Sequence, residues 1–396
     1  MKKIKIGLLA RIVLAIALGI LIGSIAPESV VRLMATFNGL FGNFLGFVVP
    51  LIIIAFIAPG IAQLGKGSGK LLGLATFFAY GSTLVAGFLA FFVASVVLPK
   101  FISSSSGDSF ENPEEFLATA FFKVDMPPAV GIMSALLLAF IFGIGMASTN
   151  SDILKKGFDE FNIIIEKVIA NVIIPLLPVH IFGIFMNMTY GGQVAKILSV
   201  FAIVFVLIIA LHFVMLLLQY STAGALNNQN PFKLMKIMSP AYFTALGTQS
   251  SAATIPVTLE QARKTGASEK VTDFTVPLFA TIHLSGSTIT LVTCAIGVLL
   301  LNGQPVELKE IIPFIFMLGI TMIAAPGVPG GAVMAAIGLL SSMLGFNETM
   351  IALMIALYLA QDSFGTATNV TGDGALALIV SRFARDKTSN HNSLES

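Results

Sequence analysis

Charge is what this sequence has least of. Lysine, arginine, aspartate and glutamate together make up 11% of its 396 residues, against 56% hydrophobic ones. A soluble domain carries roughly 25% charged residues, so this chain lacks the ions to cover a water-facing surface. The net charge is only +2, which removes the basic patch that a nucleic-acid partner needs. Cysteine is nearly absent too. Cys294 stands alone in an apolar run, so there is no disulfide framework.

What is present is hydrophobicity gathered into long stretches, with a mean hydropathy of +0.94. A helix needs about 20 apolar residues to cross a bilayer. Apolar segments fall near 7–26, 41–64, 71–98, 129–148, 162–188, 196–218, 273–301 and 349–383. They predict an all-α integral membrane protein with eight transmembrane helices. The apolar run after Met1-Lys-Lys-Ile-Lys5 reaches Ala26, longer than the roughly 7–15 residues of a signal-peptide core, and is read as the first span. Basic residues mark the cytoplasmic side. Lys2, Lys3 and Lys5 precede the first span, Lys66 and Lys70 follow the second, and Lys155 and Lys156 follow the fourth. Lys233 and Lys236 follow the sixth, and Arg382, Arg385 and Lys387 close the eighth, whereas the 99–127 connection carries Asp108, Glu111, Glu114 and Glu115. The expectation is a multi-pass protein of the cell (inner) membrane with both termini cytoplasmic.

Two further apolar segments, near 232–259 and 310–345, are interrupted. One reads Leu246-Gly-Thr-Gln-Ser-Ser-Ala-Ala-Thr-Ile-Pro256 and the other Ala325-Pro-Gly-Val-Pro-Gly-Gly331. Glycine and proline release backbone groups that lipid cannot satisfy, so such stretches survive only against protein or a wet cavity. Paired discontinuous segments point to a midplane binding site in a secondary transporter, with half-helix N-termini facing an anionic group. The competing reading, ordinary loops between short helices, loses ground because the segments come as a pair and a polar helix follows them. No Gly-Lys-Ser/Thr follows Gly330-Gly331, so a phosphate-binding loop is excluded.

That polar helix runs from Gln361 to Asp373 between two apolar stretches, in what reads as one continuous span. Asp362, Thr366, Asn369 and Asp373 recur at i, i+4, i+7 and i+11 on one helical face, which Gly365 shares. Carboxylates inside a membrane are expensive and default to function; hard oxygens at this spacing suit a small cation or an ammonium group. A span ending one turn early would instead leave Asp373 in the cytoplasmic interface. In the seventh span His283 sits among Thr281, Ser285, Gly286 and Ser287, beside an expected unwound Gly286–Ser287 step, and is balanced between packing and function. His180 and His212 lie in apolar runs and read as packing residues, and His391 lies in a polar tail.

These windows together resemble the glutamate/neutral amino-acid transporter family, the dicarboxylate/amino acid:cation symporters, over nearly the whole chain. The likeness is most specific at Thr248–Pro256, Gly327–Gly330 and Asn369–Asp373, and Gln361 to Asn369 is similar to the bacterial serine/threonine symporter branch. The resemblance implies eight spans, two re-entrant hairpins, inverted repeats, a homotrimer, and a transport domain moving like an elevator. It places 1–218 mainly in the scaffold, with the third span in the transport domain, and 219–396 in the transport core. Carried over by position, Asp362 would hold the substrate α-amino group, and Ser250 and Ser251 would lie near its α-carboxylate. Thr366 would line the pocket, Val328, Pro329 and Gly330 would close over it, and Asn369 would contact substrate and a sodium site. Asp373 would be a sodium ligand.

Three departures sharpen this. Gly365 stands where acidic-substrate members place an arginine, and Gln249 where some have an arginine in the first hairpin. A substrate carboxylate buried there without a partner costs several kcal/mol, so a small neutral amino acid of serine, threonine or alanine size is expected, and glutamate and aspartate are expected to be poor substrates. The family's Asn-Met-Asp sodium motif appears as His283-Leu284-Ser285. Histidine is the side chain that titrates in the physiological range, so the coupling ion is expected to be sodium, with a proton in place of one sodium as the open alternative; the runner-up function is a proton-coupled carrier for another amine-bearing or dicarboxylate solute. His283 and Ser285 join Asn369 and Asp373 as candidate cation residues. No other cofactor is implied. An intramembrane hydrolase using His283, Ser250 and Asp362 lacks a nucleophile-elbow pattern, and two carboxylates are too few for a channel.

Overall fold

The computed structural model describes residues 8–64, 69–102, 117–149, 152–323, 325 and 330–392. All regular structure among them is helical. α1 (Leu8–Gly23), α2 (Glu28–Leu64), α3 (Gly69–Ile102) and α4 (Ile132–Thr149) come first. α5 (Asp152–Val168) runs through a π-helical turn, Ile169–Ile173, into α6 (Ile174–Tyr190). Pro175 follows that turn at the start of α6, where the widened register absorbs the backbone bond that proline cannot make. α7 (Val194–Asn227) precedes the hairpin of α8 (Pro231–Thr248) and α9 (Ser251–Lys264). Next come α10 (Glu269–Ile282), α11 (Ser285–Leu301), the pair α12 (Leu308–Ile323) and α13 (Gly331–Leu344), and finally α14 (Glu348–Leu359) and α15 (Asp362–Asn392).

Among the described residues, five helical stretches are long and apolar enough to cross a membrane: Glu28–Ala62, Leu71–Ile102, Asp152–Tyr190, Ile197–Asn227 and Glu269–Leu301. The pair Glu348–Leu359 and Asp362–Ala384, bent by 58°, makes a sixth. Ala10–Gly23 and Leu137–Thr149 are shorter apolar helices, where the sequence places its first and fourth spans. The protein is thus a multi-pass, all-α membrane protein.

Two packing groups emerge. α2 packs on α4, α5 and α6, and α1 on α6. The connection after α3 is stitched to this group. Asn187 of α6 accepts the Ala118 N–H at 2.9 Å and donates to its carbonyl at 3.0 Å, and the Phe121 N–H donates to Thr36 Oγ1 at 2.9 Å. In the other group α15 lies against α7, α8, α9, α10 and α11, and α11 against α3 and α7. The Glu269–Leu301 stretch is the most deeply enclosed of the spans, with 89% of its apolar window buried. α13 meets α2 and α4, so the second hairpin is one place where the two groups touch.

The structure corrects three local expectations. The eighth span is not continuous: it breaks at Ala360–Gln361, and Asp362 opens a new helix. The first hairpin turns only at Gln249–Ser250, and Ser251 to Pro256 are already helical. The break in the seventh span falls at His283–Leu284, with ψ angles of 100° and 50°, while Gly286 and Ser287 form the first turn of α11.

Candidate functional site

The site grows from these breaks. A helix start leaves its first N–H groups without intrahelical partners. Leu284, which precedes α11, has no polar side chain to supply one and makes no side-chain cap. Asn369 supplies it from α15. Its Oδ1 accepts the N–H groups of Gly286 at 2.7 Å and Ser287 at 3.2 Å, and its Nδ2 donates to Ser287 Oγ at 2.9 Å. The two helices can come this close because Gly286 has no side chain. A Cβ there would stand 2.4 Å from the Gly365 carbonyl. Gly365 in turn faces Ser287 and Thr290.

Two turns up from Asn369, Asp362 Oδ2 accepts the N–H of Gly330, the residue that opens α13, at 2.7 Å. Gly330 has φ 76°, a left-handed conformation that favours glycine. The Tyr358 hydroxyl faces Asp362 and Ser287. Asp362 is buried, and Thr366 is buried between it and Asn369 on the same helix.

Toward the other end of the stripe, Asp373 is 1% exposed, so it is enclosed by protein and does not sit in an open interface. Its Oδ1 lies 2.7 Å from His283 Nδ1, and its Oδ2 has no hydrogen-bond partner. His283 Nε2 lies 3.0 Å from Ser82 Oγ and 3.4 Å from Gln219 Nε2. Gln219 Nε2 also donates to Ser82 Oγ at 2.9 Å and to Ser285 Oγ at 3.2 Å. A proton on Nδ1 with Nε2 as acceptor fits this set, because the Asp373 carboxylate can only accept and the Gln219 Nε2 nitrogen can only donate. The chain of contacts runs Asp373, His283, Ser82, Gln219, joining α15, α3 and α7 to the break between α10 and α11.

Ser250 and Ser251 stand at the turn of the first hairpin, whose arms α8 and α9 both pack on α15. Ser250 Oγ caps its own helix, accepting the Ala253 N–H at 3.3 Å, and Ser251 is buried. Val328 and Pro329 lie outside the described residues, as do 326 and 327. The structure therefore brings together Asp362 with Gly330, Asn369 with the start of α11, and Asp373 with His283 and, through Gln219, Ser285.

Sequence reasoning missed Ser82, Gln219, Ser287 and Tyr358. A signal existed for Gln219, an amide inside the run Met215 to Tyr220; polar groups within a span hydrogen-bond inward. His180 does pack, its ring tilted 51° against Phe41 and its Nδ1 3.2 Å from the Asn38 amide. His212 packs and also reaches the site, with Nε2 2.9 Å from the Gly286 carbonyl.

The family described as the sodium:dicarboxylate symporter family matches residues 8–383. Curated relatives include serine/threonine transporters of Acinetobacter baumannii strains AYE and SDF. Each is 27% identical over 384 residues, covering 93% of this chain and 95% of the relative.

Proposed function

Because the chain belongs to the sodium:dicarboxylate symporter family, a family of transporters and not of enzymes, we propose that it takes up a small neutral amino acid together with a cation. The observation that carries the choice of substrate is the charge inventory of the interior. Among the described residues the buried charged groups include Asp362 and Asp373 but no lysine or arginine. An amino acid with a second carboxylate would bury it without a partner, at a cost of several kcal/mol. An amine has one in Asp362. The substrate α-carboxylate is assigned to the N-terminal end of α9, beside Ser250 and Ser251, where the helix dipole favours an anion. The relatives named as serine/threonine transporters support a side chain of that size.

Coupling is assigned to Asn369, Asp373, His283 and Ser285. Sodium prefers hard oxygen, and Asp373 Oδ2 is a buried carboxylate oxygen with no protein partner. His283 already holds Oδ1. That contact favours fewer sodium ions than in acidic-substrate members, with a proton carried at the His283–Asp373 pair as the second reading. The family likeness supports eight spans, both termini in the cytoplasm, a trimer and elevator-like movement. The packing supports placing α7 with α3 and α8–α15 in the moving group, since α7 lies on α3, α11 and α15.

The test is uptake of labelled serine into sealed proteoliposomes under an inward sodium gradient, then under a proton gradient. Saturable, gradient-driven serine uptake that glutamate fails to compete, and that Asp362→Ala abolishes, is the expected result. Equal uptake of glutamate would overturn the substrate assignment.

A further inference from the structure

A groove of ≈ 410 Å³ runs along α3, α7 and α15. Its walls follow the helices lengthwise, from Phe77 to Val85 on α3, Met215 to Leu226 on α7, and Leu376 to Phe383 on α15. A rise of about 1.5 Å per residue makes the α7 wall about 16 Å long, so the space is drawn out along the spans. α3 and α7 are both among the helices able to cross a bilayer. Phe77, Val85 and Leu218 are 70%, 52% and 45% exposed at the rim, so the open side faces lipid. Met215, Leu376 and Ile379 are no more than 5% exposed and form the floor.

One end of the groove is marked by Phe77, Leu226 and Phe383, the lining residues nearest the start of α3 and the ends of α7 and α15. The rings of Phe78 and Phe383, 5.3 Å apart, join α3 to α15 there. Arg382, which is exposed, adjoins Phe383. Deeper in, the wall includes Ser82 and Gln219, the pair that contacts His283 Nε2. Gly81 leaves room beside them: a Cβ there would meet no atom within 4 Å.

Apolar walls disfavour water in such a groove, and leaving it empty forfeits dispersion contacts. A phospholipid tail is apolar and lies along the spans as the groove does, and an anionic head group suits a cation at the mouth. We propose that the groove binds one acyl chain of an anionic phospholipid, its phosphate beside Arg382 and its tail reaching Ser82 and Gln219. Seated there, the chain shields from the lipid side the contacts that hold His283. The site is separate from the Asp362–Asp373 stripe and stands whatever solute the protein carries.

The test places the full-length protein in liposomes containing phosphatidylglycerol with a diazirine at the end of one acyl chain, and maps the labelled residues after illumination. The expected result is saturable labelling of Met215, Leu376 and Ile379, which lipid merely ringing the protein does not reach. Phe213, 55% exposed elsewhere on α7, should label in simple proportion to the probe. Gly81→Leu, which builds into the open space, should abolish floor labelling and leave Phe213 as it was. Arg382→Gln should raise the half-saturating probe fraction about fivefold, the effect of one cation near an anionic lipid surface; no change would overturn the phosphate contact. Labelling confined to the exposed rim overturns the proposal. So does floor labelling that Gly81→Leu leaves unchanged in protein eluting as one species. Oxidative cross-linking of Phe77→Cys between copies would overturn it as well, by seating a second copy on the groove.

Discussion

The first hairpin caps its turn from within, whereas Gly330, the described residue before α13 in the second, bonds to another helix. At the tip of α8–α9, Gln249 takes φ 55°, Ser250 caps α9, and Thr248 Oγ1 meets Thr254 Oγ1 at 3.1 Å across the turn. At the start of α13, Gly330 makes no side-chain cap, and its N–H goes to Asp362 of α15. The difference separates two roles. A tip that closes its own hydrogen bonds keeps its shape whether or not a ligand is near. Under the proposed function, a substrate ammonium at Asp362 would share that carboxylate with the Gly330 N–H, which would link occupancy of the site to the start of α13.

The largest effect expected from breaking this contrast is at Asp362. Asp362→Ala should remove serine uptake and free Gly330 together. Charge-assisted hydrogen bonds contribute about 1.5–3 kcal/mol, so affinity should fall by roughly ten- to a hundredfold. A reactive cysteine placed at Gly330, read against the buried native Cys294, should label faster in that background. Unchanged labelling would mean that the second tip holds itself as the first does.

His283→Asn comes next, because it removes the imidazole from Asp373 without touching either hairpin. Sodium dependence of uptake should steepen and the pH dependence of uptake should flatten. Ion stoichiometry and pH profile both unchanged would remove His283 from coupling. A smaller effect is expected from Ser250→Ala, which loses a helix cap of about 1 kcal/mol. It should weaken serine binding about fivefold and leave labelling at the second tip as it is. Smallest is Gln249→Gly. Relieving a left-handed non-glycine residue should stabilise the first hairpin by no more than about 1 kcal/mol, seen as slightly slower proteolysis or a small rise in thermal midpoint.

Much of this was legible in the sequence, for reasons specific to particular residues. The paired interruptions at 246–256 and 325–331 announced themselves because hydrocarbon does not tolerate unpaired backbone. Asp362 and Asp373 stood out because carboxylates are rare within a span. The break before α15 did not, since Ala360 and Gln361 are neither proline nor glycine and nothing local marks them. The break at His283–Leu284 was displaced by one turn, because the glycine at 286 turned out to serve close packing on Gly365.

Local chemistry therefore determined the class of molecule, the positions of most spans and the polar stripe on the last helix. Each follows from how a short stretch of chain meets lipid. The partners of that stripe were decided only by tertiary structure. Asn369 caps a helix that begins 84 residues earlier, at Ser285. Asp373 finds His283, 90 positions away, and His283 finds Ser82, 201 positions away. Periodicity places a side chain on a face, but a hydrogen bond between distant helices depends on how closely those helices pack. Here that approach is set by Gly286 against Gly365.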